Sequence, residues 1–181
     1  SDTISPLLQF PLNIVSQVPF DYMHLVCLGV VRRLCKAWMV GNFTKSVKFS
    51  CKHIDMVSSR LEKLRKYCPV EFSRLPRSLK DWKDYKATEF RQFLLYTSPV
   101  VLNGILQENA YLHFLLLHAS IRVLISPTYS KKLLDFSEIA LKKFVKLCEN
   151  LYGKDFVSYN IHGLLHLTED VRTFGVLDTI S

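Results

Sequence analysis

Asp21-Tyr22-Met23-His24-Leu25-Val26-Cys27-Leu28-Gly29-Val30-Val31-Arg32-Arg33 begins with a carboxylate and an imidazole, continues as an apolar run and closes on two cations. With Leu34 and Trp38 added, the apolar positions keep a helical period with a wide buried face. Pro19 blocks any helix from entering this segment, and Gly41 stands where a helix of this length should stop. The spacing predicts a helix over 21–40. Asp21 suits its N-cap, where a side-chain oxygen satisfies free backbone N–H groups and complements the positive helix end. His24, three residues on, shares the face of Asp21, so both groups can address one point. A cap beside a core histidine and a pair of working titratable groups are both consistent with these residues.

The pattern continues outward from this helix. Residues 1–19 carry Pro6, Pro11 and Pro19 and read as an extended lead-in to a domain spanning 20–181. Residues 42–50 are β-tolerant. Ile54, Val57, Leu61 and Leu64 predict an amphipathic helix closed by Pro69. Residues 69–86 form a charged connector, and a helix then opens near Thr88 and Glu89, with Pro99 expected to kink or break it. Residues 108–125 are apolar almost all round, which places that helix at the centre of a bundle. An amphipathic helix over 129–152 ends at Gly153, and a last one over 158–173 ends at Gly175. The reading is an all-α, single helical domain of about six helices.

Composition narrows the function. The 181 residues are 49% hydrophobic, enough for a substantial core, and carry a net charge of +8, which favours a polyanionic partner. Five cysteines without a Cys-x-x-Cys spacing fit a reducing compartment, cytosol or nucleus. No apolar stretch approaches the roughly 18 residues of a membrane span, and the first residues do not form a signal peptide. The chain opens on Ser1 and closes on Leu177-Asp178-Thr179-Ile180-Ser181, and is read as an excerpt of a longer one.

Few residues offer chemistry. His162 and His166 stand at the four-residue spacing that puts two imidazoles on one helix face, a metal-capable geometry that lacks the Glu of a zinc protease. Buried structural histidines are the plainer reading, and a zinc site adding His24 and Cys27 is a further one. Phosphate loops, nucleophile elbows and dinucleotide fingerprints are missing. Glu89 and Arg91 are candidates for an internal ion pair or for a solvated helix start. Arg32, Arg33, Lys36, Arg77, Lys80, Lys83 and Lys86 are the candidate DNA contacts, with Arg74, Lys131, Lys132, Lys142 and Lys143 on other basic faces. Trp82 and Tyr85 lie among these cations and suit either base stacking or anchoring.

Three strings, in order, resemble a transposase family. They are Val18-Pro19-Phe20-Asp21-Tyr22-Met23-His24 with the apolar run that follows to Leu34, then Lys86-Ala87-Thr88-Glu89-Phe90-Arg91-Gln92-Phe93-Leu94-Leu95-Tyr96-Thr97, and finally Val157-Ser158-Tyr159-Asn160-Ile161-His162-Gly163-Leu164-Leu165-His166-Leu167 with its continuation to Gly175. Together they look like the C-terminal part of the catalytic region of CACTA/EnSpm-like DNA transposases, over nearly the whole chain. The resemblance implies an RNase H-like enzyme in which three carboxylates hold two Mg²⁺ ions for strand cleavage and transfer. It implies that Asp21 and His24 match a Cys-or-Asp-x-x-His string supporting the active site. The triad itself is expected outside this chain: two Asp before residue 1 and a Glu after Ser181. The segment would then be the helical insertion, not catalytic alone, nuclear, contacting transposon-end DNA, with homo-oligomers in the parent. Mg²⁺ belongs to that parent and no cofactor is expected here. Two other readings stand beside it: a domesticated or degenerate helical protein-interaction module, and a small metalloprotein using His162 and His166.

Overall fold

The structure is a computed structural model that describes residues 21–180, so the expected lead-in over 1–19 lies outside the described residues. Among them there are seven helices and no strand, as the periodicity predicted. Helix α1 spans 23–40, π-helical over Met23–Val31 and α-helical over Arg32–Val40. Gly41 ends it at φ +70°, a left-handed conformation that glycine adopts without strain. Helix α2 is Cys51–Leu64, and Leu79–Asp84 forms a 3₁₀ turn inside the connector. Helix α3 runs over 87–102, α4 is Glu108–Ile125 and α5 is Lys131–Tyr152. Helix α6 covers 159–174 and a short α7 is Leu177–Ile180.

Two local departures from a regular α-helix have physical causes. Pro99 does not break α3. Its missing N–H and ring are absorbed by a π-helical turn over Phe93–Thr97, and Ser98–Leu102 continues with Pro99 in its first turn. The π-helical half of α1 leaves Leu25, Val26, Cys27, Val30 and Val31 all buried, which a strictly one-sided helix would not achieve. The β-tolerant stretch 42–50 is a loop of bends and a turn, pinned where the Phe49 N–H donates to the Trp38 carbonyl at 2.7 Å.

The core is built around the end of α1. Trp38 is fully buried, meets Phe114 of α4 edge-on at 5.6 Å, and donates its indole N–H to the Tyr152 hydroxyl at 3.0 Å. Helices α4 and α5 form an antiparallel hairpin through the short 126–130 connection. Arg60 of α2 donates to the carbonyls of Val101 at 3.3 Å and Asn103 at 2.7 Å, capping the end of α3.

The first and penultimate helices cross at two glycines. A Cβ on Gly29 would lie 2.6 Å from the Asn160 side chain, and one on Gly163 would collide with the buried Leu25 side chain. Each helix thus gives up a side chain where the other inserts one. Replacing Gly163 by Ala is expected to cost about 1–3 kcal/mol, because Leu25 is enclosed and cannot move aside. Gly29→Ala is expected to cost less, since Asn160 is partly exposed and can swing. Urea unfolding of both variants measures the difference.

Candidate anion-binding cleft

Along α1, Leu28, Gly29, Arg32, Arg33, Lys36 and Val40 follow a helical stripe that forms one wall of a cleft of about 660 Å³. Trp82 and Lys83 of the 3₁₀ turn form the facing wall, and Asn160 of α6 closes one end. The stripe reaches Asn160 because Gly29 lets α6 approach so closely. Arg32 ties the walls together by donating to the Lys83 carbonyl at 3.5 Å.

Every ionisable side chain that lines the cleft is a cation: Arg32, Arg33, Lys36 and Lys83. Arg32, Lys36 and Lys83 are exposed, whereas Arg33 has a second task. Its guanidinium donates to the carbonyls of Phe156 at 2.7 Å and Asp155 at 2.5 Å and lies 4.6 Å from the Phe43 ring centre. Burial pushes its pKa down from the ordinary value, but a guanidinium stays charged at any physiological pH. Four positive charges without a lining carboxylate give the cleft a positive potential.

The other sequence-derived cations do not join this cluster. Arg77 makes a bidentate pair with Glu89, Nε to Oε1 at 2.7 Å and Nη2 to Oε2 at 3.2 Å, and Lys80 pairs with Asp55 at 2.6 Å. Arg77 is thus engaged with a buried carboxylate, whereas the Lys80 pair lies on the exposed surface. Lys86 is exposed at the start of α3 but does not line the cleft. Lys142 is held by Glu138 one turn earlier at 2.8 Å. Of the two readings of Glu89 and Arg91, neither the internal pair nor the solvated helix start describes Glu89. Glu89 is only 4% exposed and belongs to Arg77, its second oxygen accepting from the Lys86 backbone N–H at 2.8 Å. Burial alone would raise the Glu89 pKa, yet the Arg77 and Lys86 bonds hold it below the ordinary value. Arg91 instead donates to the Tyr22 hydroxyl at 2.6 Å and to Asp178 at 2.8 Å, while Tyr22 donates to the other Asp178 oxygen at 2.7 Å. This node ties α1, α3 and α7 together, and no spacing in the sequence announces it.

Trp82 and Tyr85 are both buried, and the Tyr85 hydroxyl donates to the Arg77 carbonyl at 2.7 Å, so both act as anchors and not as base-stacking platforms. Asp21 caps α1, accepting from the Met23 N–H at 3.0 Å, and its second oxygen binds the exposed His24 ring. Partial burial would raise the Asp21 pKa, but the His24 and backbone bonds outweigh it and hold the carboxyl low. Neither residue lines the cleft.

The metal readings lose their geometry. His162 and His166 are both exposed, and the chain tightens into a 3₁₀ turn over Leu164–His166, which removes the α-helical alignment that the four-residue spacing assumes. His24 is exposed whereas Cys27 is fully buried, its thiol pKa pushed up to about 12 by that burial. Among the described residues no group of three or more His, Cys, Asp or Glu is disposed to hold a metal ion. The two Mg²⁺ ions of a DDE enzyme therefore do not fit the described residues.

Asn160 and Gly29 escaped the sequence-based list of site residues. The available signal was Gly29 itself, since a glycine inside an otherwise strong helix marks a close approach. No protein-family model, no curated protein and no solved structure matches the chain.

Arg77→Ala leaves Glu89 buried without its partner and is expected to cost about 2 kcal/mol at pH 7. Because the folded Glu89 pKa is depressed, the pairing stabilises fully above the unfolded carboxylate range and is lost as pH falls below that range through the lower folded pKa. The difference between wild type and variant should therefore shrink toward pH 3, which urea unfolding across pH checks.

Proposed function

We propose that this chain is a helical portion of a CACTA/EnSpm-like DNA transposase, or a remnant of one, that contacts the DNA backbone through the basic cleft of α1. The observation that carries the reading is the convergence of Arg32, Arg33, Lys36 and Lys83 on one cleft without a lining carboxylate. The three resemblance strings add support, because they meet physically. The first and third cross at Gly29 and Gly163, and the first and second join through Tyr22 and Arg91.

In this reading the cations neutralise phosphates without reading bases, so binding is sequence-tolerant and salt-sensitive. Asp21 and His24 stand at the exposed start of α1, beside the segment that would meet the parent's catalytic sheet. Strand cleavage, and the Mg²⁺ ions that serve it, belong to residues outside this chain. The parent would act in the nucleus on transposon ends, as a homo-oligomer.

A second reading, a helical protein-interaction module, is favoured by one observation. Leu133, Phe136 and Ile139 of α5 are all exposed, Ile139 at 68%, as on a face that meets another protein.

Fluorescence anisotropy with a labelled DNA duplex separates the two. Four neutralised phosphates predict that affinity falls about a hundredfold between 50 and 200 mM salt, both salt concentrations being about those at which such steepness is ordinarily read. The triple variant R32A/K36A/K83A should weaken binding at low salt and lower the salt slope by about 2–3. Absence of binding by the wild type at low salt would favour the protein-interaction reading. Nicking of DNA above background by the purified chain with Mg²⁺ or Mn²⁺ would contradict the assignment of catalysis to other residues.

A further inference from the structure

Helices α4 and α5 leave an apolar seam on the outside of their hairpin. Phe114, Leu117, Ile121 and Leu124 of α4 are buried in the core, while Leu112 on another side is 54% exposed. With Leu116 it lines a groove of about 640 Å³ whose other wall carries Leu147 and Leu151 of α5. The α5 wall continues beyond the groove. Phe136, Ile139, Lys143, Leu147 and Leu151 succeed one another at steps of three or four, which keeps them on one side of the helix. Phe136 and Ile139 are exposed, and only Lys143 interrupts the apolar row. Two antiparallel helices with apolar residues at this spacing form the kind of groove into which a third helix packs.

Charge along this seam has one sign. Among the described residues Lys143 is the one Lys, Arg, Asp or Glu that lines the groove. Lys132 stands about three turns before it and Lys146 about one turn after, so all three share a side of α5. They are exposed, and none makes an ion pair among the described residues. The carboxylates of α5 keep to another edge. There Arg172 bridges Asp135 and Glu138, Glu138 also pairs with Lys142, and Glu149 follows about two turns beyond Lys142. A second copy of this chain docked face to face would set lysine against lysine, which disfavours self-association. Residues 1–20 hold one carboxylate, Asp2, and so lack the complement.

We infer that the α4–α5 seam docks an amphipathic helix of a partner protein. The apolar stripe of that helix packs on Leu112, Leu116, Ile139, Leu147 and Leu151, and its acidic edge faces Lys132, Lys143 and Lys146. Burial of the stripe drives association, while the flanking charges select the partner and its orientation, as they do between coiled helices. The inference rests on the protein-interaction reading and gives it a surface and a partner chemistry. It leaves DNA binding open, because the seam and the basic cleft share no lining residue.

The test titrates the full chain into two fluorescein-labelled synthetic peptides of about three heptads, with leucine at positions a and d. One peptide carries glutamate at e and g, the other lysine, and both are kept at nanomolar concentration so that they stay monomeric. Fluorescence anisotropy should show saturable binding of the glutamate peptide, at least about tenfold tighter than that of the lysine peptide. K132E/K143E/K146E should reverse this preference. L112N/I139N, at exposed positions, should weaken the glutamate peptide at least about tenfold while far-UV circular dichroism stays unchanged. R32A/K36A/K83A should bind it as the wild type does, which separates a failure of the cleft from a failure of the seam. Absence of saturable binding at millimolar chain, equal affinity for the two peptides, or a preference that survives the charge reversal overturns the inference. So does a chain dimer in sedimentation that L112N/I139N abolishes, or binding of phosphatidylserine vesicles in place of the peptide.

Discussion

The crossing of α1 and α6 at Gly29 and Gly163 sets the distance on which the rest of the site depends. At both points a side chain of one helix occupies the space where a Cβ of the other would be. Cores are close-packed, so such a contact fixes the separation and rotation of the helices together. It brings Asn160 to the end of the Arg32, Arg33 and Lys36 stripe, and it seats Leu25 in the core beside α6. Arg33 then reaches the Phe156 and Asp155 carbonyls, which locks the turn preceding α6 to the same stripe. The cleft thus follows from the packing of α1 against α6, with the 79–84 turn of the connector supplying its second wall.

Charge is distributed by competition between internal acceptors and solvent. Arg77, Lys80 and Lys142 are each held by a carboxylate, and Arg60 and Arg91 are consumed by helix capping and by the Tyr22–Asp178 node. Arg172 bridges Asp135, Glu138 and Glu169 in the same manner. What distinguishes Arg32, Lys36 and Lys83 is that they are exposed along a cleft that no carboxylate lines. A net charge of +8 alone does not reveal this, because it counts held and free cations alike.

Helix positions were largely legible in the sequence, because apolar periodicity and the stops at Gly41, Gly153 and Gly175 are local signals. The π-helical halves were not, since they arise from how Leu25 to Val31 and Phe93 to Thr97 meet their neighbours. Expecting Pro99 to kink α3 located the disturbance, and the structure accommodates it upstream, in the turn that would have used the missing N–H. Four of the seven candidate DNA contacts converge on the cleft; Lys86 lies exposed outside it, and Arg77 and Lys80 are paired with carboxylates. Whether Arg77 is free depends on Glu89, twelve residues away and pulled into the core by a separate packing requirement. Trp82 illustrates the same limit: interleaving with lysines suggests stacking on bases, but its burial at the cleft wall makes it a support.

The central claim, that nucleic-acid phosphates seat in the cleft between α1, the 79–84 turn and α6, is tested most directly by NMR mapping of the chain with a short DNA duplex. The account predicts that the amide signals of Gly29, Lys36 and Lys83, the Asn160 side-chain amide and the Trp82 indole N–H shift together, and that the shifts reverse on raising salt. Shifts centred on Lys131, Lys132, Lys142 and Lys143 of α5 instead, with the cleft signals unmoved, would contradict it.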